Sequence, residues 1–151
     1  MRRLLIVVLA GATALVGLLG APATAAGTET TRLDIVALVN AERASVGDRL
    51  LTVDACLMAN AQRHAERLAR KGQLAHQDMG RISHDCGRRA RYGENVLWTT
   101  TGTARAALRL WLASPDHRAN IHEAAYRTTG IGVAHDRHRH RFYVVEVFAG
   151  R

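Results

Sequence analysis

Apolar residues are spread along this chain in three ways: one unbroken run at the start, three helically spaced segments, and two dense stretches at the end. In "RLDIVALVNAERASVG", Ile35, Val36, Leu38 and Val39 recur at helical spacing and Gly47 supplies a stop, which predicts a first helix. A second is predicted by "TVDACLMANAQRHAERLARKGQLAH", with Thr52 or Asp54 as cap, Leu57, Ala61, Ala65 and Leu68 along one face, and Gly72 at its end. His64 lies beside that stripe and reads as a core or boundary histidine. "TARAALRLWL" places Ala104, Ala107, Leu108, Trp111 and Leu112 on one face of a third helix capped by Thr101 or Thr103. "TTGIGVAHD" and "RFYVVEVFAG", joined by "RHRH", predict an antiparallel hairpin. Helices first and strands last make an α+β domain. The segment between the second and third helices lacks a sustained period and reads as a long ordered loop with a short extended piece at Val96 to Trp98.

The initial run has a different meaning. Arg2 and Arg3 precede an apolar stretch from Leu4 to Leu19, and Ala23 and Ala25 fit the small-x-small pattern of a cleavage site, so residues 1–25 read as a secretory signal cut after Ala25. The run is shorter than the roughly 20 residues a spanning helix needs, so no membrane span is expected after signal removal. Residues 26–32 form a short polar lead, and 33–151 form one domain. An exported chain meets an oxidising compartment, where Cys56 and Cys86 either pair as a disulfide or stay as two buried thiols. No Cys-x-x-Cys pair points to zinc bound through sulfur.

Loss of Arg2 and Arg3 takes the formal charge from +8 to +6. Such a surface suits anionic partners, but the arginines are dispersed and no basic run is interleaved with aromatics, so nucleic acid is not an expected partner.

Candidate chemistry gathers around "WLASPDHRANI". Ser114, Pro115 and Asp116 suit a helix start, which places His117 in a first turn where a neutral imidazole is favoured. "LAHQD" puts His76 just past the second helix, and "GENV" puts Glu94 after a glycine that permits close backbone approach. If the intervening loop folds back, His76, Glu94 and His117 form a histidine-plus-carboxylate set of the kind zinc accepts, although no two of them stand at i, i+4 spacing. His135, His138 and His140 in "HDRHRH" read as solvent-facing turn residues beside cation-repelling arginines. A triad of Ser114, His117 and Glu94 lacks the Gly-x-Ser-x-Gly elbow and a free serine oxygen.

Taken in order, "LVNAERASVGDRLLTVDACLMANAQRHAERLARKGQLAHQD", "YGENV", "WLASPDHRANI" and "TGIGVA" resemble the bacterial branch of the CAP superfamily, the domains related to cysteine-rich secretory proteins, antigen 5 and plant pathogenesis-related proteins of group one. The resemblance runs from about Leu33 to Phe148. It implies a secreted α-β-α sandwich with a cleft that many members line with two histidines and two glutamates. His76 then matches the first histidine and Glu94 the first glutamate. Ser114 stands at the second glutamate and Tyr143 at the second histidine, with His117 the substitute that bacterial members carry. Glu146 stands where related strands often have glutamine. The resulting expectation is a secreted binding module, non-catalytic or weakly active, whose cleft of His76, Glu94 and His117 takes zinc or another divalent cation, an envelope or lipid-like ligand, or both. The alternative is a metal-assisted hydrolase of peptide or cell-wall material with Glu94 as general base.

Overall fold

The structure, a computed structural model, describes the backbone from Ala23 and side chains from Thr31; residues 1–22, and with them most of the expected signal, lie outside the described residues. Nine elements follow in order: α1 (Ala23–Ser45), β1 (Thr52–Val53), α2 (Ala55–Lys71), α3 (Met79–Asp85), β2 (Arg91–Thr99), α4 (Ala104–Ala113), α5 (Pro115–Ile121), β3 (Tyr126–Asp136) and β4 (Arg141–Gly150). No helix among the described residues is long and apolar enough to cross a membrane.

The strands form one sheet in the order β1-β3-β4-β2, with β3-β4-β2 antiparallel and β1 added in parallel along β3. Side chains alternate across a strand, so each strand feeds two cores. On one face Leu97, Ile131, Val133, Val144 and Phe148 pack with Ile35 and Val39 of α1 and with Ala107 and Trp111 of α4. On the other, Val96, Tyr143, Val145, Val147 and Ala149 pack with Leu57, Ala61, Ala65 and Leu68 of α2 and Ile82 of α3. This is the expected α-β-α sandwich.

The physical reasons are local. Asp54 accepts the Leu57 N–H and Gly72, at φ 70°, closes α2, which settles the cap in favour of Asp54 because Thr52 is taken into β1. Thr103, not Thr101, caps α4. Gly130 and Gly132 turn towards α2, where an added Cβ would meet the backbone of Leu57, Met58 and Ala61 at 2.2–2.3 Å. Helix and strand therefore approach closer than any side chain would allow.

One expectation needs correction. The segment read as a long loop contains the helix α3 and a nine-residue strand, β2. Its apolar pattern is short because Glu94, Asn95 and Thr99 are buried polar residues inside the sheet, which removes the alternation that marks a strand. Helix α1 begins at Ala23, so residues 26–32 lie within it. Cys56 and Cys86 form a disulfide that ties the start of α2 to the end of α3.

Candidate functional site

Glu94 lies in the middle of β2, paired with Val147 of β4, on the sheet face covered by α2. Gly93 before it packs so closely that a Cβ would come within 2.1 Å of the Tyr126 hydroxyl and 3.2 Å of Asn120 Oδ1. Two asparagines fix the other side of the strand. Asn95 Nδ2 donates to the His117 carbonyl at 3.0 Å, and Asn120 Nδ2 donates to Asn95 Oδ1 at 2.9 Å and to the Glu94 carbonyl at 3.2 Å. These bonds seat α5 against β2 and deliver His117 to the edge of the cleft.

His76 Nδ1 lies 2.8 Å from Glu94 Oε2, and the same oxygen accepts the Gln77 backbone N–H at 3.1 Å. Gln77 Nε2 donates to Glu94 Oε1 at 2.7 Å. Because a carboxylate accepts and does not donate, His76 Nδ1 carries the hydrogen, and in the neutral ring Nε2 then presents the lone pair. The Glu94 side chain is 2% exposed and the His76 side chain 61% exposed, so the acid sits behind the imidazole and the imidazole faces solvent. His117 is half-buried; burial first, then the neighbouring His76, hold its pKa below the ordinary histidine value. The helix start predicts the same neutral ring, but desolvation supplies most of the effect. Ser114 occupies the N-cap of α5 without a side-chain cap bond.

His64 belongs closer to this cluster than its helical stripe suggests. Its Nε2 meets the Ala75 carbonyl at 2.8 Å and stands 3.9 Å from Glu94 Oε1, while Nδ1 accepts from Arg67 at 3.1 Å. Both ring nitrogens are used inside the fold, and burial lowers its pKa. Gln77 and Asn120 carry no pattern in the sequence that marks them, since each acts through a bond visible only after folding.

The remaining candidates fall elsewhere. Glu146 is fully buried and pairs with Asn95, which puts it on the sheet face opposite Glu94; its Oε1 accepts from Thr129 at 2.9 Å. It adds no carboxylate to the cleft. Tyr143, at the position matched to the second histidine, is fully buried in the α2-side core near the hairpin turn. His138 and His140 are exposed at that turn, and His135 stacks on Phe142 with ring centroids 4.1 Å apart.

The profile of the cysteine-rich secretory protein family, the CAP family, matches residues 36–148. The chain belongs to this family. Among similar solved structures, an extracellular SCP-domain protein of Bacillus anthracis shares 22% identity at TM-score 0.73, over 87% of this chain and 45% of that one. A cysteine-rich secretory protein of Staphylococcus aureus shares 17% at TM-score 0.69, over 82% and 39%. An outer surface protein of Borrelia burgdorferi shares 18% at TM-score 0.70, over 80% and 95%. These likenesses carry the fold, and the chain spans under half the length of the first two proteins. No curated protein matches the chain.

A metal ion in a CAP cleft needs ligand atoms that are open to it. Here both Glu94 oxygens are filled by His76 and Gln77, and His76 Nδ1 is committed to Glu94. Among the described residues no group of three or more His, Cys, Asp or Glu side chains is placed to hold a metal. As arranged, His76, Glu94 and His117 do not fit a three-ligand centre.

Proposed function

We propose that this chain is an exported CAP-domain binding module whose cleft recognises a polar ligand of the cell envelope through His76 and His117. The observation that supports it is the division of labour between an exposed His76 and a buried Glu94 whose oxygens accept three hydrogen bonds. Glu94 fixes the tautomer and orientation of the ring, and His76 Nε2 offers an aimed acceptor. His117, kept neutral by burial, adds a second imidazole beside it. A general base must reach a substrate proton, and Glu94 is enclosed by its own donors, so the geometry favours binding over the hydrolase reading. Affinity for a divalent cation is then limited to the two imidazoles. A lipid-like ligand is also less well served, because the 440 Å³ groove between α1 and α4 is lined by Asp34 and Arg105 together with Ala37 and Leu38.

The test is co-sedimentation with purified, insoluble peptidoglycan and its attached polysaccharide, with and without a chelator. Wild type is expected to sediment regardless of chelator, and the double variant His76→Ala/His117→Ala to remain in solution. Sedimentation of the double variant like wild type contradicts the proposal. Chelator-sensitive retention that Glu94→Gln abolishes would support the metal-assisted reading instead.

A further inference from the structure

We propose that the groove between α2 and α3 is a second, separate site, one that binds the phosphate group of a phosphate ester through Arg63, Arg67 and Arg81. This goes beyond the reading of the cleft and does not depend on it, although the groove adjoins the cleft through Gln77, which lines it and bonds both Arg67 and Glu94. The groove encloses about 340 Å³. Asn60, Arg63 and Arg67 line it from α2, where steps of three and four residues put them on one helix face, and Arg81 faces them from α3.

Three exposed guanidinium groups line one hollow together with two carboxylates, Asp78 and Asp85, an excess of positive charge that an anion can match. The groove's acids carry bonds of their own and offset part of that charge, Asp85 acting on both Arg81 and Arg63. Asp78 Oδ1 accepts the backbone N–H groups of Gly80 and Arg81, and Asp85 takes His84 at 3.0 Å while standing 4.0 Å from Arg81. Arg63 makes no hydrogen bond among the described residues, and its charge acts on Asp85. Arg67 is held by His64 Nδ1 and Gln77 Oε1, both at 3.1 Å from its Nη2, which leaves Nε and Nη1 to donate elsewhere. The floor is Asn60, 7% exposed, whose Oδ1 has no partner. Buried polar atoms are normally paired, and a ligand carrying both an oxyanion and a hydroxyl would engage guanidinium groups and amide together.

The donor set selects among anions. A carboxylate has two oxygens and is saturated by one bidentate arginine, whereas a phosphate presents a tetrahedral set of oxygens that several guanidinium forks can share. The Cys56–Cys86 disulfide ties α2 to the residue beside Asp85, so both walls are held before a ligand arrives. A second arginine-rich hollow, at Arg88, Arg89 and Arg127, is less available. There Arg89 is engaged by Asp54 and Thr128, and Arg127 by backbone carbonyls.

Calorimetric titration with inorganic phosphate, glycerol 3-phosphate and a short poly(glycerol phosphate), with glycerol as the uncharged control, tests the site. The two esters are expected to bind, and Arg63→Ala and Arg81→Ala each to weaken binding about tenfold, the loss expected from one charge-assisted contact. Arg88→Ala should bind as wild type does, and so should His76→Ala, which separates this site from the cleft. Arg63→Lys, which keeps the charge but loses the fork, should fall between wild type and Arg63→Ala. Three results would overturn the proposal: unchanged binding in Arg63→Ala and Arg81→Ala, an equal loss in Arg88→Ala, or binding of inorganic phosphate without either ester.

Discussion

Single residues carry the pH behaviour of this domain. Glu146 is buried beside Thr129, with one oxygen unpaired, and burial pushes its pKa up to about 8 against the favourable pull of Thr129 and of the Arg43 charge. For an acid whose folded pKa is raised, the folded state holds the proton more tightly, so this group's contribution to stability falls as pH rises from about 4.5 to about 8. Glu146→Gln keeps an acceptor for Thr129 and removes the charge. Thermal unfolding should show little difference from wild type at pH 4 and a clear stabilisation at pH 8; a destabilised variant at pH 8 would mean that the ionised acid is paired after all. His64 and His117 have the opposite linkage. Both are held below the ordinary histidine value of 6.5, so the stability they contribute is complete above about 6.5 and is lost as pH falls below it. Urea unfolding between pH 7 and pH 5 should reveal this loss, and His64→Gln should make the slope shallower.

At the scale of elements, the sequence was informative where burial is one-sided and silent where polar groups are buried. Helices α2 and α4 show their faces plainly: Leu57, Ala61, Ala65 and Leu68, and Ala104, Ala107 and Trp111, are all buried as their spacing predicts. Strand β2 escaped because Glu94, Asn95 and Thr99 occupy positions that an ordinary strand fills with apolar residues. Glu94 and Asn95 are satisfied by hydrogen bonds to His76, Gln77, His117 and Asn120, 17 to 25 residues away, which no local pattern encodes, while Thr99 bonds locally to Thr101. Trp111 anchors the α4 face and is fully buried, with its indole N–H unpaired. Trp111→Ala should cost roughly 3 to 5 kcal/mol in chemical denaturation. Trp111→Phe should cost much less, since no hydrogen bond is lost; equal costs would show that the indole nitrogen matters.

For the whole molecule, the ordered motifs pointed to the sandwich that the sheet and its two cores form. His76 and Glu94 do meet, as their positions around the α3 segment suggest, but as ring and orienter. Sequence spacing could not distinguish a carboxylate facing a ligand from one facing a histidine. Asn40 and Arg43 of "VNAER" serve the frame: Asn40 bonds both the N–H and the carbonyl of Leu51, and Arg43 binds the carbonyls of Arg49, Ile121 and Glu123. Conspicuous motif residues therefore hold loops as well as build the site.

The proposed function requires that Glu94 orient His76 so that Nε2 is the atom offered to a ligand. Long-range proton–nitrogen correlation spectra of the imidazoles, recorded above the histidine titration range before and after addition of solubilised cell-wall fragments, test it most directly. The expected result is a His76 ring protonated at Nδ1, a tautomer weakened by Glu94→Gln, and a ligand-induced shift at Nε2. A His76 protonated at Nε2, or a ring unchanged by fragments that the protein binds, would contradict it.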